Sequence, residues 1–181
     1  MFIGNIIGVW TILACRWAQA LVTVNFDGEF KTCDNGMELP GLDYSRFDVL
    51  LLDDENVTIN GKLSTTRDYN NPLSVNVYTK RLVSGNWVPS MNRFIPNFCE
   101  VLKAPNEMWT PFMAAFEQQS CPFLAGHTEN FDHTNIGNMV NSMKIPPSLQ
   151  GQWKLFIEFG TIRKLAHEKE CAMADFLVVE V

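Results

Sequence analysis

The chain has 181 residues, with 20 acidic against 14 basic side chains and a net charge of −6. That balance argues against a nucleic-acid binder, which needs a basic stripe along one face, and against constitutive docking on anionic lipid. The length suffices for one domain with a sizeable core. Aromatic residues are abundant, Phe above all with 13; core packing accounts for any single one, and the surplus hints at an apolar cavity.

The amino terminus reads as an export signal. Met1 to Cys15 is almost uncharged and mostly apolar, and the run Ile6 to Cys15 falls short of the ~20 residues that span a bilayer. Ala18-Gln19-Ala20 is a small-x-small cleavage site, so residues 1–20 are assigned as signal peptide and 21–181 as one domain. An uncleaved signal anchor is the alternative. The leader carries Arg16 and no acid, so its removal makes the charge one unit more negative. No later stretch is apolar enough to span a membrane. The expectation is a secreted, extracellular, oxidised protein without stable membrane insertion.

Cys15 leaves with the leader. Cys33, Cys99, Cys121 and Cys171 remain, an even number behind an export signal, which reads as two disulfides. Cys33 and Cys171 bracket nearly all of the mature chain, and Cys99 and Cys121 enclose a short stretch. The layout suggests a β-domain with stapled ends and one tethered excursion.

Asn56-Val57-Thr58 is an N-glycosylation sequon beside the acidic run Asp53-Asp54-Glu55, with Asn56 as the acceptor. From there the period is mostly two. Val57, Ile59, Gly61 and Leu63 alternate with Thr58, Asn60, Lys62 and Ser64; Leu73, Val75 and Val77 alternate with Ser74, Asn76 and Tyr78; and Trp153, Leu155, Ile157 and Phe159 alternate with Lys154, Phe156 and Glu158. These are half-buried antiparallel strands, and Ala172 to Val181 closes the chain as another. Turn signals stand at Asn60-Gly61, Asn70-Asn71-Pro72, Ser84-Gly85-Asn86 and Pro146-Pro147. The pattern predicts a mainly all-β fold, an antiparallel two-sheet β-sandwich.

The stretch between Cys99 and Cys121 breaks the period. Met108, Trp109, Phe112, Met113 and Phe116 recur at helical spacing, and Pro111 fits the first turn of a helix starting near Thr110. This predicts one short helix tethered by a disulfide. Its apolar face has two readings: it completes the core, or it forms the lip of an apolar cavity, a role to which Met is suited.

No chemistry-bearing constellation emerges. His127 and His133 are six apart with Glu129 and Asp132 between them, a spacing that matches no zinc pattern; they read as solvated loop histidines, and so does His167. There is no GxSxG elbow and no Cys/His nucleophile pair. The reading is a binding protein rather than an enzyme, with no cofactor and no metal.

A resemblance adds to this. The run Cys121-Pro122-Phe123-x-x-Gly126, then Ile145-Pro146-Pro147-Ser148-Leu149-x-Gly151-x-Trp153-x-Leu155, then Cys171, resembles the ganglioside activator and its relatives among the lipid-recognition β-cups. Thr32-Cys33-Asp34, the Asn56 sequon and Asn97-Phe98-Cys99-Glu100-Val101-Leu102 resemble further stations of that family, so coverage runs over about residues 25–181. The proportions are most similar to insect secreted proteins of the chemosensory B type, linked to pheromone detection in taste tissue. The resemblance implies that Cys33 bonds Cys171 and Cys99 bonds Cys121, and that the two sheets splay into a cup with an apolar cavity. The chain lacks two of the activator's disulfides, around the loops that shape lipid access, which counts against ganglioside headgroup recognition.

The expected walls are Val57, Ile59, Val75, Val77, Leu155 and Ile157, with Trp109, Phe112 and Phe116 as lip; a register slip of one residue would invert any of these. The expected partner is a hydrophobic small molecule or lipid, with a receptor or channel on sensory cells beside it. Three functions compete: a secreted carrier or co-receptor for a hydrocarbon or lipid pheromone, a lipid-extracting activator presenting a membrane lipid to a hydrolase, and a ligand-free extracellular interaction module. A secreted hydrolase is a weak fourth.

Overall fold

The alternating stretches become strands because each buries one face and leaves the other wet. The computed structural model describes residues 22–51, 56–140, 145–163 and 166–180. The leader, the acidic run at 53–55 and the last residue of the closing strand lie outside them.

Among the described residues, eight strands follow in chain order: β1 (Val22–Thr32), β2 (Leu42–Leu51), β3 (Val57–Thr65), β4 (Ser74–Val83), β5 (Asn86–Ile95), β6 (Thr128–Gly137), β7 (Gly151–Arg163) and β8 (Ala166–Glu180). Two short helices, α1 (Phe98–Val101) and α2 (Thr110–Ala114), lie between β5 and β6, and one 3-10 turn (Pro147–Leu149) precedes β7. A five-stranded sheet in the order β1-β8-β7-β4-β5 faces a three-stranded sheet in the order β2-β3-β6. All named pairings are antiparallel. The fold is the mainly β, two-sheet sandwich that the alternation predicts. Among the described residues no helix is long and apolar enough to cross a membrane.

The tethered excursion differs from expectation in detail. Two helical turns replace one: α1 carries Cys99 itself, and α2 begins at Thr110 with Pro111 in its first turn. Asn60-Gly61, read as a turn signal, lies inside β3. Gly61 has φ +97°, and a Cβ there would overlap the carbonyl of Arg46. The pairing of β2 with β3 shifts register between Asp43 and Arg46, close by. A left-handed glycine serves a bulge as well as a turn, which is why the dipeptide misleads. Ser84-Gly85 does make a turn. Both residues have positive φ, and Val83 pairs with Asn86, the two-residue hairpin whose twist suits antiparallel strands.

The disulfides join Cys33 to Cys171 and Cys99 to Cys121, with Cα–Cα distances of 5.9 and 5.6 Å. Cys33–Cys171 folds the segment after β1 onto the outer face of the five-stranded sheet. There Phe156, Cys171 and Met173 are buried, with Met37 and Tyr78 packed beside them. Asp34 accepts hydrogen bonds from Lys154 at 2.8 Å and Lys80 at 3.4 Å. The Lys154 bond, with Lys80 behind it, holds the Asp34 carboxyl below the usual range.

Tyr78 stacks on Phe156 at 4.7 Å in this outer layer. Burial first, then the charge and hydrogen bond of Glu158 and the charge of Asp34, push its phenol up to about 12. The fold therefore favours the neutral phenol over the phenolate. The stability this contributes is present below the unfolded value of 10.0 and is lost as pH rises through about 12. Tyr78→Phe is expected to flatten the fall in urea midpoint across that alkaline window, and an unchanged slope would refute the assignment.

Candidate functional site: an apolar cavity under an aromatic lip

Between the sheets, the inward faces fill three clusters. Val22, Val24, Trp153, Phe176 and Val178 close one end with Val140 and Ile145. Phe47, Val49, Val57, Ile59, Phe131 and Ile136 fill the inner face of the three-stranded sheet. The third cluster, under the helices, leaves a cavity of about 160 Å³.

Its floor is the five-stranded sheet. Val75 and Val77 of β4 face it beside Ile157 and Phe159 of β7, and the two pairs are direct cross-strand neighbours, Val75 with Phe159 and Val77 with Ile157. Leu42 of β2, Leu63 and Thr65 of β3 and Glu129 of β6 form the opposite wall. Tyr69, Leu73, Phe123 and His127 close the sides. The roof is the excursion between β5 and β6, from which Phe98, Trp109, Phe112, Met113 and Phe116 point inward.

The roof is anchored at several points. Cys99–Cys121 closes its base. The backbone N–H of Phe98 donates to Leu73 at 2.7 Å, and the Trp109 indole donates to the Val101 carbonyl at 3.3 Å. Arg93 of β5 pairs with Glu107 at 3.0 Å. Aromatic edges interlock beneath: Phe98 with Trp109 at 5.5 Å, Phe112 with Phe116 at 4.9 Å and Phe116 with Phe131 at 5.3 Å. Trp109 and Met113 are buried, whereas Phe112 and Phe116 are half-buried.

Two buried carboxylates brace the cavity. Glu129, 2 % exposed, accepts the backbone N–H groups of Glu117 and Gln118 at 2.8 and 2.9 Å and the His127 Nε2 at 2.7 Å. It therefore pins the chain just past α2 to β6. Glu170 of β8 accepts the Gly41 N–H at 3.0 Å and the Tyr69 hydroxyl at 2.8 Å, and it is ion-paired to Arg67. A Cβ at residue 41 would overlap both the Tyr69 hydroxyl and this carboxylate, so only glycine allows the approach. Buried charge is tolerated where donors surround it, and each carboxylate collects three.

Of the wall and lip residues expected from sequence, Val75, Val77, Trp109, Phe112, Phe116 and Ile157 line this cavity. Val57 and Ile59 do not. They share the inward face of β3 with Leu63 and Thr65, but they lie further along the strand, where Phe47 and Phe131 fill the space and leave both fully buried. Leu155 packs against the Trp153–Phe176 cluster instead. His127 corrects its reading as a solvated loop residue: it sits at the cavity wall, bonded to Glu129. His133 and His167 are exposed, as a solvated histidine should be. His127 and Glu129 are two apart, the spacing that puts side chains on one face of a strand; that was the signal for the pair. Tyr69 and Phe123 carry no such local mark, because they stand in two separate loops that meet only in the fold, across an isolated bridge; Leu73 and Phe159 stand on alternating runs, which do not say which part of the run meets the cavity. Among the described residues no group of three or more His, Cys, Asp or Glu could hold a metal ion.

Asn56, the sequon acceptor, is half-buried immediately before β3. No family model matches the chain, and no curated protein sequence matches it.

Proposed function

We propose that the chain is a secreted binding protein for a small hydrophobic ligand, a lipid or hydrocarbon pheromone, acting in gustatory chemosensory detection. The observation that carries the binding part is the cavity of about 160 Å³ under Phe112 and Phe116, walled mainly by Val, Leu, Ile and aromatic side chains. Cavities of about this size and lining stay dry and take up compact apolar molecules. The sensory part rests on the resemblance over residues 25–181, and the two disulfides support an oxidising compartment.

The energetics suit a loosely shaped, apolar ligand. A chain end of about six methylenes taken from water into the cavity gains roughly 5 kcal/mol. That gain needs no charged contact, and selectivity then follows shape. A longer chain fits only if Phe112 and Phe116 rotate outward, so the lip sets the length that is admitted. A receptor or channel on sensory cells would read the loaded form.

The test is titration of the oxidised, secreted protein with a fluorescent apolar probe, together with native mass spectrometry for stoichiometry. One probe per chain is expected. Val77→Phe, which fills the cavity floor, should weaken uptake by roughly tenfold or more. Phe94→Ser, at an exposed position on β5 away from the cavity, serves as control and should not. A wild-type protein that takes up no apolar probe would remove the carrier reading and leave a ligand-free interaction module.

A further inference from the structure

The outer face of the five-stranded sheet carries a second concavity, an open groove of about 470 Å³. Small-molecule sites span roughly 300–1,000 Å³, so its size suits one. Its floor follows from register. Asn25 of β1 and Gln152 of β7 both pair with Leu177 of β8, and Lys154 pairs with Asp175. Side chains of one cross-strand row share a face. Trp87, on the edge strand β5, closes the far side. It meets Lys154 across β4, with Nζ 4.9 Å from its ring centroid. Trp87 and Leu177 stay 37 % and 40 % exposed, so the groove holds apolar surface that the fold does not cover.

The charges around the groove are already paired. Asp27 and Asp175 take Lys31 at 3.0 and 2.9 Å, and Asp34 takes Lys154 at 2.8 Å and Lys80 at 3.4 Å. These three acids balance three lysines, which leaves no net charge for an ionic ligand. The polar groups left over are neutral. The side-chain amides of Asn25 and Gln152 and the Trp87 indole N–H have no hydrogen-bond partner among the described residues. Each amide offers both donors and an acceptor.

A fitting ligand has an apolar face for Trp87 and Leu177, groups at its edge that both donate and accept, and no charge. A pyranose ring has all three: C–H bonds on one face, hydroxyls around the rim. A purely apolar ligand would leave the amides dry and unpaired. A peptide that adds to a sheet uses its edge, whereas this groove lies on a face. From β1 to β5 the row crosses four strand spacings, about 20 Å, enough for several linked rings.

We infer that this groove binds a neutral saccharide, a linear run of uncharged pyranose rings, with one ring stacked on Trp87 and hydroxyls bonded to Gln152 and Asn25. The site is separate from the cavity between the sheets and does not rest on the carrier reading.

The experiment adds unbranched neutral trisaccharides and tetrasaccharides of glucose, mannose and N-acetylglucosamine to the oxidised protein and follows the tryptophan indole N–H resonances. The Trp87 signal is assigned by its loss in Trp87→Phe. At least one of these sugars should shift it while the Trp109 and Trp153 signals stay in place. A galacturonic acid oligomer of the same length, repelled by the net charge of −6, should bind more weakly. Trp87→Ala should weaken the sugar roughly tenfold, the order of one ring contact. Gln152→Ala should weaken it roughly fivefold, the order of one hydrogen bond. Both positions are exposed, so both variants should keep the wild-type urea midpoint. No Trp87 shift with any neutral sugar, a shift with an amphipathic peptide alone, tighter binding of the uronic acid oligomer, or an affinity unchanged in Trp87→Ala would each overturn the inference. None of these outcomes bears on the cavity, whose probe binds at the opposite face of the sheet, and a wild type that takes up no apolar probe leaves the groove untouched.

Discussion

Replacing Cys33 and Cys171 together by serine is expected to cost the fold about 5 kcal/mol, the largest loss of any covalent change in this chain. The bridge joins residues 138 apart, and loop-closure entropy in the unfolded chain scales with the logarithm of that separation, giving ~5 kcal/mol on the chain-entropy account. The bond also holds the segment after β1 over Phe156, Met173 and Tyr78, so its loss opens the only apolar layer on the outer face that the described residues show. Asp34 would leave Lys80 and Lys154 at the same time. Urea unfolding followed by tryptophan fluorescence measures this directly. The companion double variant at Cys99 and Cys121 is expected to cost about 3 kcal/mol, because its loop spans 22 residues. Its effect should be local: the sandwich stays folded while the roof loosens and probe exchange quickens. Equal losses in the two variants would show that loop closure is not what the long bridge supplies.

The two bridges also mark how far the chain is legible before folding. Alternation identifies β3, β4 and β7, and helical spacing identifies the roof, whereas β8 is expected only as a closing run from Ala172 and is buried on both faces from Glu170 to Ala174. Both signals are local, and local signals survive folding where one side of an element meets water. β5 gives no such signal. It is a sheet edge with Trp87, Val88 and Phe94 exposed and only its last residue, Ile95, fully buried, so no period of two is imposed on it. β6 loses its parity at register shifts against β3. The choice of cavity residues fails for a different reason. Val57 and Leu63 stand on the same face of one strand, yet one is packed among Phe47 and Phe131 and the other lines the cavity. Which end of a sandwich fills and which stays open depends on side chains from the other sheet and from loops, not on the strand itself. Tyr69 and Glu170 are 101 residues apart, and no pattern within either segment announces their contact.

Glu170 carries the second large expectation. Glu170→Ala should cost about 3–5 kcal/mol, the range for removing one partner from a buried charged pair. The carboxylate is 4 % exposed in its side chain. Its removal takes the carboxylate acceptor from the Gly41 N–H and the Tyr69 hydroxyl and an ion-pair partner from Arg67. Arg67 also touches Glu168 at 3.7 Å, so part of its charge stays compensated; the stranded hydroxyl and amide are then the heavier loss. Glu170→Gln should fall between, because an amide oxygen can still accept from Gly41 and Tyr69 while the amide nitrogen opposes Arg67. Tyr69→Phe isolates the hydroxyl and should cost about 1 kcal/mol. The order alanine, glutamine, then Tyr69→Phe in urea midpoints is the measurement, and a Glu170→Ala variant within about 0.5 kcal/mol of wild type would show that the network is not what holds β8 to the loop before β2. The same series reaches the cavity. Tyr69 is a side wall, and its ring is fixed at one end by Glu170 and packed on Phe159 at 5.8 Å. Releasing the hydroxyl frees the ring to turn into the open volume. Glu170→Ala should therefore weaken probe binding beyond what its loss of stability explains, whereas the Cys33/Cys171 variant, cut on the outer face, should lose stability with the cavity unchanged for as long as it stays folded. The contrast separates what builds the sandwich from what shapes its interior.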